Sequence, residues 1–183
     1  MSPNRRLVHT LLAALAFSVL ALGVTACGYE SHEKDVVEGE PVELGELSFN
    51  VTFSRYLNPA DNEDSAYLVG QAPPPEGSTY FGLFFQIQNE SEEPQTLPST
   101  LNITDADGNE YDVLPSESIY ALELGGEVEP QEQVPVLDST ADLGAIEGAV
   151  AIFLLPAEAS DARPLTLHIH GADGENGEVE LDL

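Results

Sequence analysis

The chain has 183 residues, and 33 acids stand against 5 lysines and arginines, for a formal net charge of −28. Beyond residue 27 only Lys34, Arg55 and Arg163 are basic, too few to build a nucleic-acid-binding face. The field repels nucleic acid and anionic lipid and favours divalent cations and basic proteins. With a single cysteine, Cys27, and no tryptophan, no intrachain disulfide can form, and the fold must rest on its core alone. One domain is expected at this length.

Arg5 and Arg6 open the chain, and Leu7 to Ala26 is almost wholly apolar. A cationic start, an apolar middle and a small-residue end predict a secretory signal, exported by the general route. Twenty apolar residues are also long enough to span a bilayer. Val24-Thr25-Ala26-Cys27 resembles the lipobox of bacterial lipoproteins. That resemblance implies a signal peptide over 1–26, a diacylglycerol on the Cys27 thiol and anchorage on the extracytoplasmic face of the cell membrane. Residues 27–46 carry many acids and few large apolar groups, which predicts a flexible acidic tether.

From residue 47 the pattern changes to a period of two. Leu47, Phe49, Val51 and Phe53 alternate with polar residues, as in a strand with one buried face. "NPADNED" (58–64) reads as a polar loop, and "PPPEG" (73–77) as a turn unable to join a central strand. In 79–89, Phe81, Leu83, Phe85 and Ile87 share one face, opposite a mixed one, as in a sandwich strand whose outer face is partly covered. Residues 101–114 form a hairpin turning at Asp107-Gly108. Gly125-Gly126 breaks the irregular segment 115–127, and Pro135 places Val134 and Val136 on an edge. Apolar residues 148–156 suit a central strand, while 165–171 and 178–183 alternate around a turn at "ADGEN". Seven or eight short strands without an amphipathic helix predict an antiparallel, immunoglobulin-like β-sandwich over 47–183.

The stretch 79–155 is similar to a family of uncharacterised immunoglobulin-like domains common in secreted lipoproteins of Gram-positive bacteria. The similarity rests on Asn89 closing a long apolar strand, on Leu101, Asp105, Gly108 and Tyr111 in the hairpin, and on Phe153 in the last strand. Where the family's later turn reads proline-glycine-glutamate, this chain has Pro130-Gln131-Glu132. The resemblance implies a fold and a cell-surface setting, with no general activity attached.

No nucleophile elbow or phosphate-binding glycine loop is present, and neither enzymatic activity nor a cofactor is expected. Two sets of residues could meet a metal. His168 and His170 lie two apart on a strand, so both imidazoles project from one face toward a zinc or copper ion. Asp105, Asp107 and Asn109 match the first, third and fifth positions of a calcium loop, but Glu110 and Ser116 stand where glycine and glutamate are needed. Arg55 and Arg163 are expected to pair with acids. The resulting expectation is a monomeric, membrane-anchored lipoprotein whose sandwich binds a basic envelope protein or peptide through loops 58–64 and 115–127. The alternative is a metal-binding lipoprotein using the histidine pair.

Overall fold

A computed structural model describes residues 32–172 and 174–181. Cys27 and the lipobox lie outside the described residues. No helix among the described residues is long and apolar enough to cross a membrane.

Twelve strands follow in chain order: β1 His32–Val37, β2 Pro41–Leu44, β3 Leu47–Leu57, β4 Ser78–Asn89, β5 Gln95–Thr96, β6 Leu101–Thr104, β7 Glu110–Leu114, β8 Glu127–Val128, β9 Gln133–Val134, β10 Ala149–Pro156, β11 Leu165–His170 and β12 Asn176–Leu181. Among the described residues one α-helix, α1, spans Asn62–Tyr67, and a 3-10 turn spans Ala157–Ser160. The first sheet runs β2-β3-β4-β10-β7, with β9 also paired to β4. The second runs β1-β12-β11-β6-β7. Strand β7 belongs to both: its first half pairs with β6, and Val113 and Leu114 pair with β10. The orders β3-β4-β10-β7 and β6-β11-β12 are those of the two immunoglobulin sheets. The fold is therefore the expected all-β sandwich, with more and shorter strands than the sequence pattern resolves.

Alternation builds the core between the sheets. Phe49, Phe81, Leu83, Phe85 and Phe153 face it from the first sheet, and Ile103, Leu167, Ile169 and Val179 from the second. All are at most 2% exposed. Burying a side chain of this kind stabilises the fold by about 1.5–3 kcal/mol relative to leaving it in water.

Three expectations are corrected. Residues 32–44 are not a tether: β1 lies parallel to β12 and β2 antiparallel to β3. Val36, Val42 and Leu44 join the main core while Glu40 and Glu43 stay exposed. The acid-rich average of the segment masked an alternation that a sheet edge can use. Phe53, expected in the core, is 44% exposed on the opposite face. A bulge between Val51 and Phe53 shifts the register and sends every later side chain of β3 to the other side. The Thr52 hydroxyl, at the bulge, donates to the carbonyls of Phe84 (3.1 Å) and Glu147 (3.3 Å). Finally, the loop expected at 58–64 runs into α1.

Candidate functional site

The hairpin turn between β6 and β7 is closed by Asp105. Its Oδ1 accepts from the backbone N–H groups of Asp107 (3.0 Å) and Asn109 (2.9 Å). Oδ2 accepts from Asn109 Nδ2 (2.9 Å) and the Tyr111 hydroxyl (2.7 Å). The Asn109 amide, followed by the phenol and the two N–H donors, holds this carboxyl below the usual carboxylate range. Burial, then the bond to Asp105, pushes the Tyr111 phenol up to about 12. Gly108 sits at φ +82, the left-handed turn that glycine adopts at little cost. Asp105, Gly108 and Tyr111 are thus one turn-closing unit. Asp105 has committed four acceptor directions to it, while the Asp107 and Asn109 side chains are exposed.

The two histidines do share the outer face of β11. His168 Nε2 lies 2.8 Å from Thr104 Oγ1, and its Nδ1 lies 4.0 Å from Glu178 Oε1. His170 Nδ1 is 2.8 Å from Asn176 Oδ1, and its Nε2 is 2.9 Å from Asn102 Oδ1. Both rings are tied across the sheet to β6 and β12. Among the described residues, no group of three or more histidines, cysteines or carboxylates is arranged to hold a metal ion.

Asn89, at the end of β4, is fully buried. Its Nδ2 donates to the carbonyls of Glu93 (2.9 Å), Val128 (3.0 Å) and Glu129 (3.1 Å). Its Oδ1 accepts from the N–H (2.9 Å) and hydroxyl (2.8 Å) of Ser91. One amide thereby fastens two loops. Gln131 takes φ +60, a backbone region that favours glycine. Its Nε2 donates to the Glu90 (2.6 Å) and Ser91 (2.9 Å) carbonyls, tying the strained residue to the neighbouring loop.

Over the outer face of the first sheet, loop 58–64 runs into α1, and residues 66–71 meet segment 115–120. Asp61 caps α1, its Oδ1 accepting from the N–H groups of Glu63 (2.8 Å) and Asp64 (3.3 Å). The buried Asp64 pairs with Arg55 on β3 and accepts from the Asn58 N–H (2.7 Å). Arg55 is therefore paired with acids as expected, whereas Arg163 Nε donates to the Ser160 carbonyl (2.9 Å). Tyr67 packs edge-on against Phe84 and Tyr120, both at 5.1 Å between ring centroids. With Leu57, Tyr80, Val150 and Ile152 these rings form a second apolar cluster outside the sheet. Gly82 leaves the room it needs, since a Cβ there would stand 3.0 Å from Leu57 Cδ1.

Segment 115–120 is stitched to this cap. Ser118 Oγ donates to the Ala66 carbonyl (2.7 Å), Gln71 Nε2 to that of Pro115 (2.6 Å), and the Glu117 N–H to that of Val69 (3.3 Å). Val69 (47% exposed) and Ile119 (74%) are left on the surface, with the exposed carboxylates of Asp61, Glu63 and Glu117 on the same segments. A cavity of about 220 Å³ opens at Pro59, Leu68, Gln71, Pro73 and Tyr80. Sequence pattern found both loops but not their union, because the joining bonds end on backbone carbonyls that any residue supplies.

No protein-family model and no curated protein matches the chain. Several solved structures do. An uncharacterised β-sandwich protein from Clostridium difficile is 18% identical, with a TM-score of 0.48 over 82% of this chain and 96% of its own. The yjhA protein from Bacillus subtilis is 15% identical, with a TM-score of 0.50 over 80% of this chain and 99% of its own. A functionally unknown protein from Listeria monocytogenes is 9% identical, with a TM-score of 0.49 over 79% and 81%. At such identities the likeness to yjhA concerns the fold alone.

Proposed function

We propose that this chain is a lipoprotein held at the extracytoplasmic face of the membrane through Cys27, and that its sandwich is a non-catalytic binding module for a basic protein or peptide. One observation carries the assignment of the surface. Residues 66–71, which follow loop 58–64, close with segment 115–120 into a single cap that exposes Val69 and Ile119 among carboxylates, and a cavity able to receive an apolar side chain opens at Pro59, Leu68 and Tyr80. A partner offering an apolar anchor flanked by lysine or arginine would bury the anchor and pair its charges. The lipobox resemblance supports the anchor.

Two measurements test the reading. Detergent-phase partitioning and palmitate labelling in a Gram-positive host should both be lost in Cys27→Ser. Retention of label in that variant removes the lipid anchor from the proposal. A photo-crosslinking residue at Ile119 should give an adduct with a basic envelope protein, and one at Thr166 on the opposite sheet should not. Raising salt from about 0.15 M to about 1 M shortens the screening length from about 8 Å to about 3 Å and should weaken the adduct. Equal labelling from both positions overturns the cap as the contact surface.

A further inference from the structure

The uncapped half of the first sheet carries a different surface. Two adjoining grooves of about 230 and about 250 Å³ share Gln88 and Gln133. The first is lined by Pro41, Ser48, Asn50, Gln86, Ile87, Gln88 and Gln133, with no charged residue among them. The second adds Gln131, Val136 and Leu137, and Glu132 is its one charged lining residue. Four of the six glutamines in the chain stand here. In a protein with 33 acids, amides have been gathered here, and the carboxylates at its margin are Glu132 and Glu43, whose Oε1 accepts from the Ser48 hydroxyl (2.7 Å).

The amides are held in one sense. Gln88 Nε2 donates to the carbonyls of Asn89 (3.2 Å) and Glu132 (3.1 Å), Gln133 Nε2 to that of Pro135 (3.2 Å), and Gln131 Nε2 to those of Glu90 and Ser91. A carbonyl partner fixes which end of an amide is nitrogen, so the three Oε1 atoms are the uncommitted ends. Asn50 Oδ1 is buried without a hydrogen-bond partner. Gln86, directly across from Asn50 in the β3–β4 ladder, has no side-chain partner among the described residues.

We infer that this groove binds a neutral glycan chain. Its surface is a fixed array of uncharged acceptors, with Gln86 able both to donate and to accept, and Val136 (59% exposed) and Leu137 (66%) form an apolar flank. Sugar hydroxyls supply the matching donors, and the apolar C–H faces of the rings suit the flank. A basic peptide would find one carboxylate at the inner groove, that of Glu43, against amides at Asn50, Gln86, Gln88 and Gln133. An acidic one would meet the overall negative field.

The test uses the full chain, ¹⁵N-labelled and purified in a zwitterionic detergent free of sugar. It is titrated with the neutral hexasaccharide of N-acetylglucosamine and, separately, with cellohexaose. The side-chain amide resonances of Gln86, Gln88 and Gln133 should move with at least one sugar, and the shift should persist at high salt. The sugar that binds more tightly tells an acetamido-bearing glycan from a plain glucan. Asn50→Ala and Gln86→Glu, each checked for an unchanged melting temperature, should weaken binding about tenfold or more, whereas Ile119→Asp in the cap should leave it unchanged. Silent groove amides with both sugars at millimolar concentration, or affinity unchanged in both groove variants, overturns the assignment. Because sugar binding is salt-insensitive and indifferent to the cap, its failure is separable from failure of the basic-partner reading.

Discussion

The two outer faces of this sandwich are made differently. On the second sheet, Thr166, His168 and His170 alternate with the core residues Leu165, Leu167 and Ile169, and the rings are tied to neighbouring strands by polar bonds. On the first sheet the outward positions of β4 begin with Tyr80, Gly82 and Phe84, all buried under α1 and segment 115–120, and continue with the half-buried Gln86 and Gln88. Of seven large apolar side chains exposed among the described residues, Phe53, Val69, Ile119, Val136, Leu137 and Leu143 belong to the first sheet or to segments laid over it. A face that needs only water can be polar throughout. One that carries a cap must be apolar, and the edges of the cap then leave apolar side chains in solvent.

The largest test of that contrast is Phe84→Ala. Phe84 is fully buried although it points away from the main core, so its loss should cost about 3–5 kcal/mol, as for any core phenylalanine. Thr166→Ala on the other face should stay within about 0.5 kcal/mol. Urea denaturation of both variants measures the difference, and similar midpoints would mean that the cap contributes no second core.

Asn89→Ala comes next. The substitution strands the Ser91 N–H and the Val128 and Glu129 carbonyls at a fully buried position. At about 1–3 kcal/mol for each unsatisfied group, offset by water entering at the loop, a net loss of about 3 kcal/mol is expected. Because this amide anchors the loops leading to the groove, Asn89→Ala should also broaden the Gln131 and Gln133 side-chain resonances while leaving those of His168 and His170 in place.

How much of this was legible in the sequence follows the same division. Period-two alternation located β3, β4 and β11, an unbroken apolar run located the doubly buried β10, and Asp107-Gly108 located the β6–β7 hairpin. The turn motif is visible too: Asp105 matches one position of a calcium loop that fails at Glu110 and Ser116, and what sequence does not show is that its second oxygen accepts from the Tyr111 hydroxyl. The cap was not legible: Asp61 three residues before Asp64 is a helix-capping pattern, yet α1 is too short for periodicity to show. The strands of 32–44 were hidden because an acid-rich average masks the alternation of β2 and because β1 pairs with the far end of the chain. The amide groove is spread over β2, β3, β4 and β9, so nothing in linear order announces it. The lone signal was Gln86, Gln88, Gln131 and Gln133, two glutamine pairs at strand spacing.

On the second sheet, Asp105 and Tyr111 give stability a pH dependence with two limbs. The carboxyl is held below its ordinary value in the fold, so its contribution is present above about pH 3.9 and is lost as pH falls through the lowered value. The phenol is raised from 10.0 to about 12, so its contribution is intact below pH 10 and fades as pH climbs toward 12. Thermal melts across a pH series should show both limbs. Tyr111→Phe should flatten the alkaline one, and Asp105→Asn the acid one. An alkaline limb that survives in Tyr111→Phe assigns it to another tyrosine.

The smallest effect is expected from His168→Ala/His170→Ala. The rings lie on a solvent-facing surface, and the hydrogen bonds they make there are worth about 0.5–1.5 kcal/mol each at most. Both nitrogens of His170 are already engaged with Asn102 and Asn176, so a zinc or copper ion would have to displace one of these amides before binding. Melts with Zn²⁺, Cu²⁺ and Ca²⁺ should therefore shift wild type and double variant alike, as general screening of an acidic surface does. A site filled at 100 times its Kd would stabilise the fold by about 2.7 kcal/mol. A Zn²⁺ or Cu²⁺ shift of that size that vanished in the double variant would make the polar face a metal site, and the two faces would then differ in which ligand each one takes.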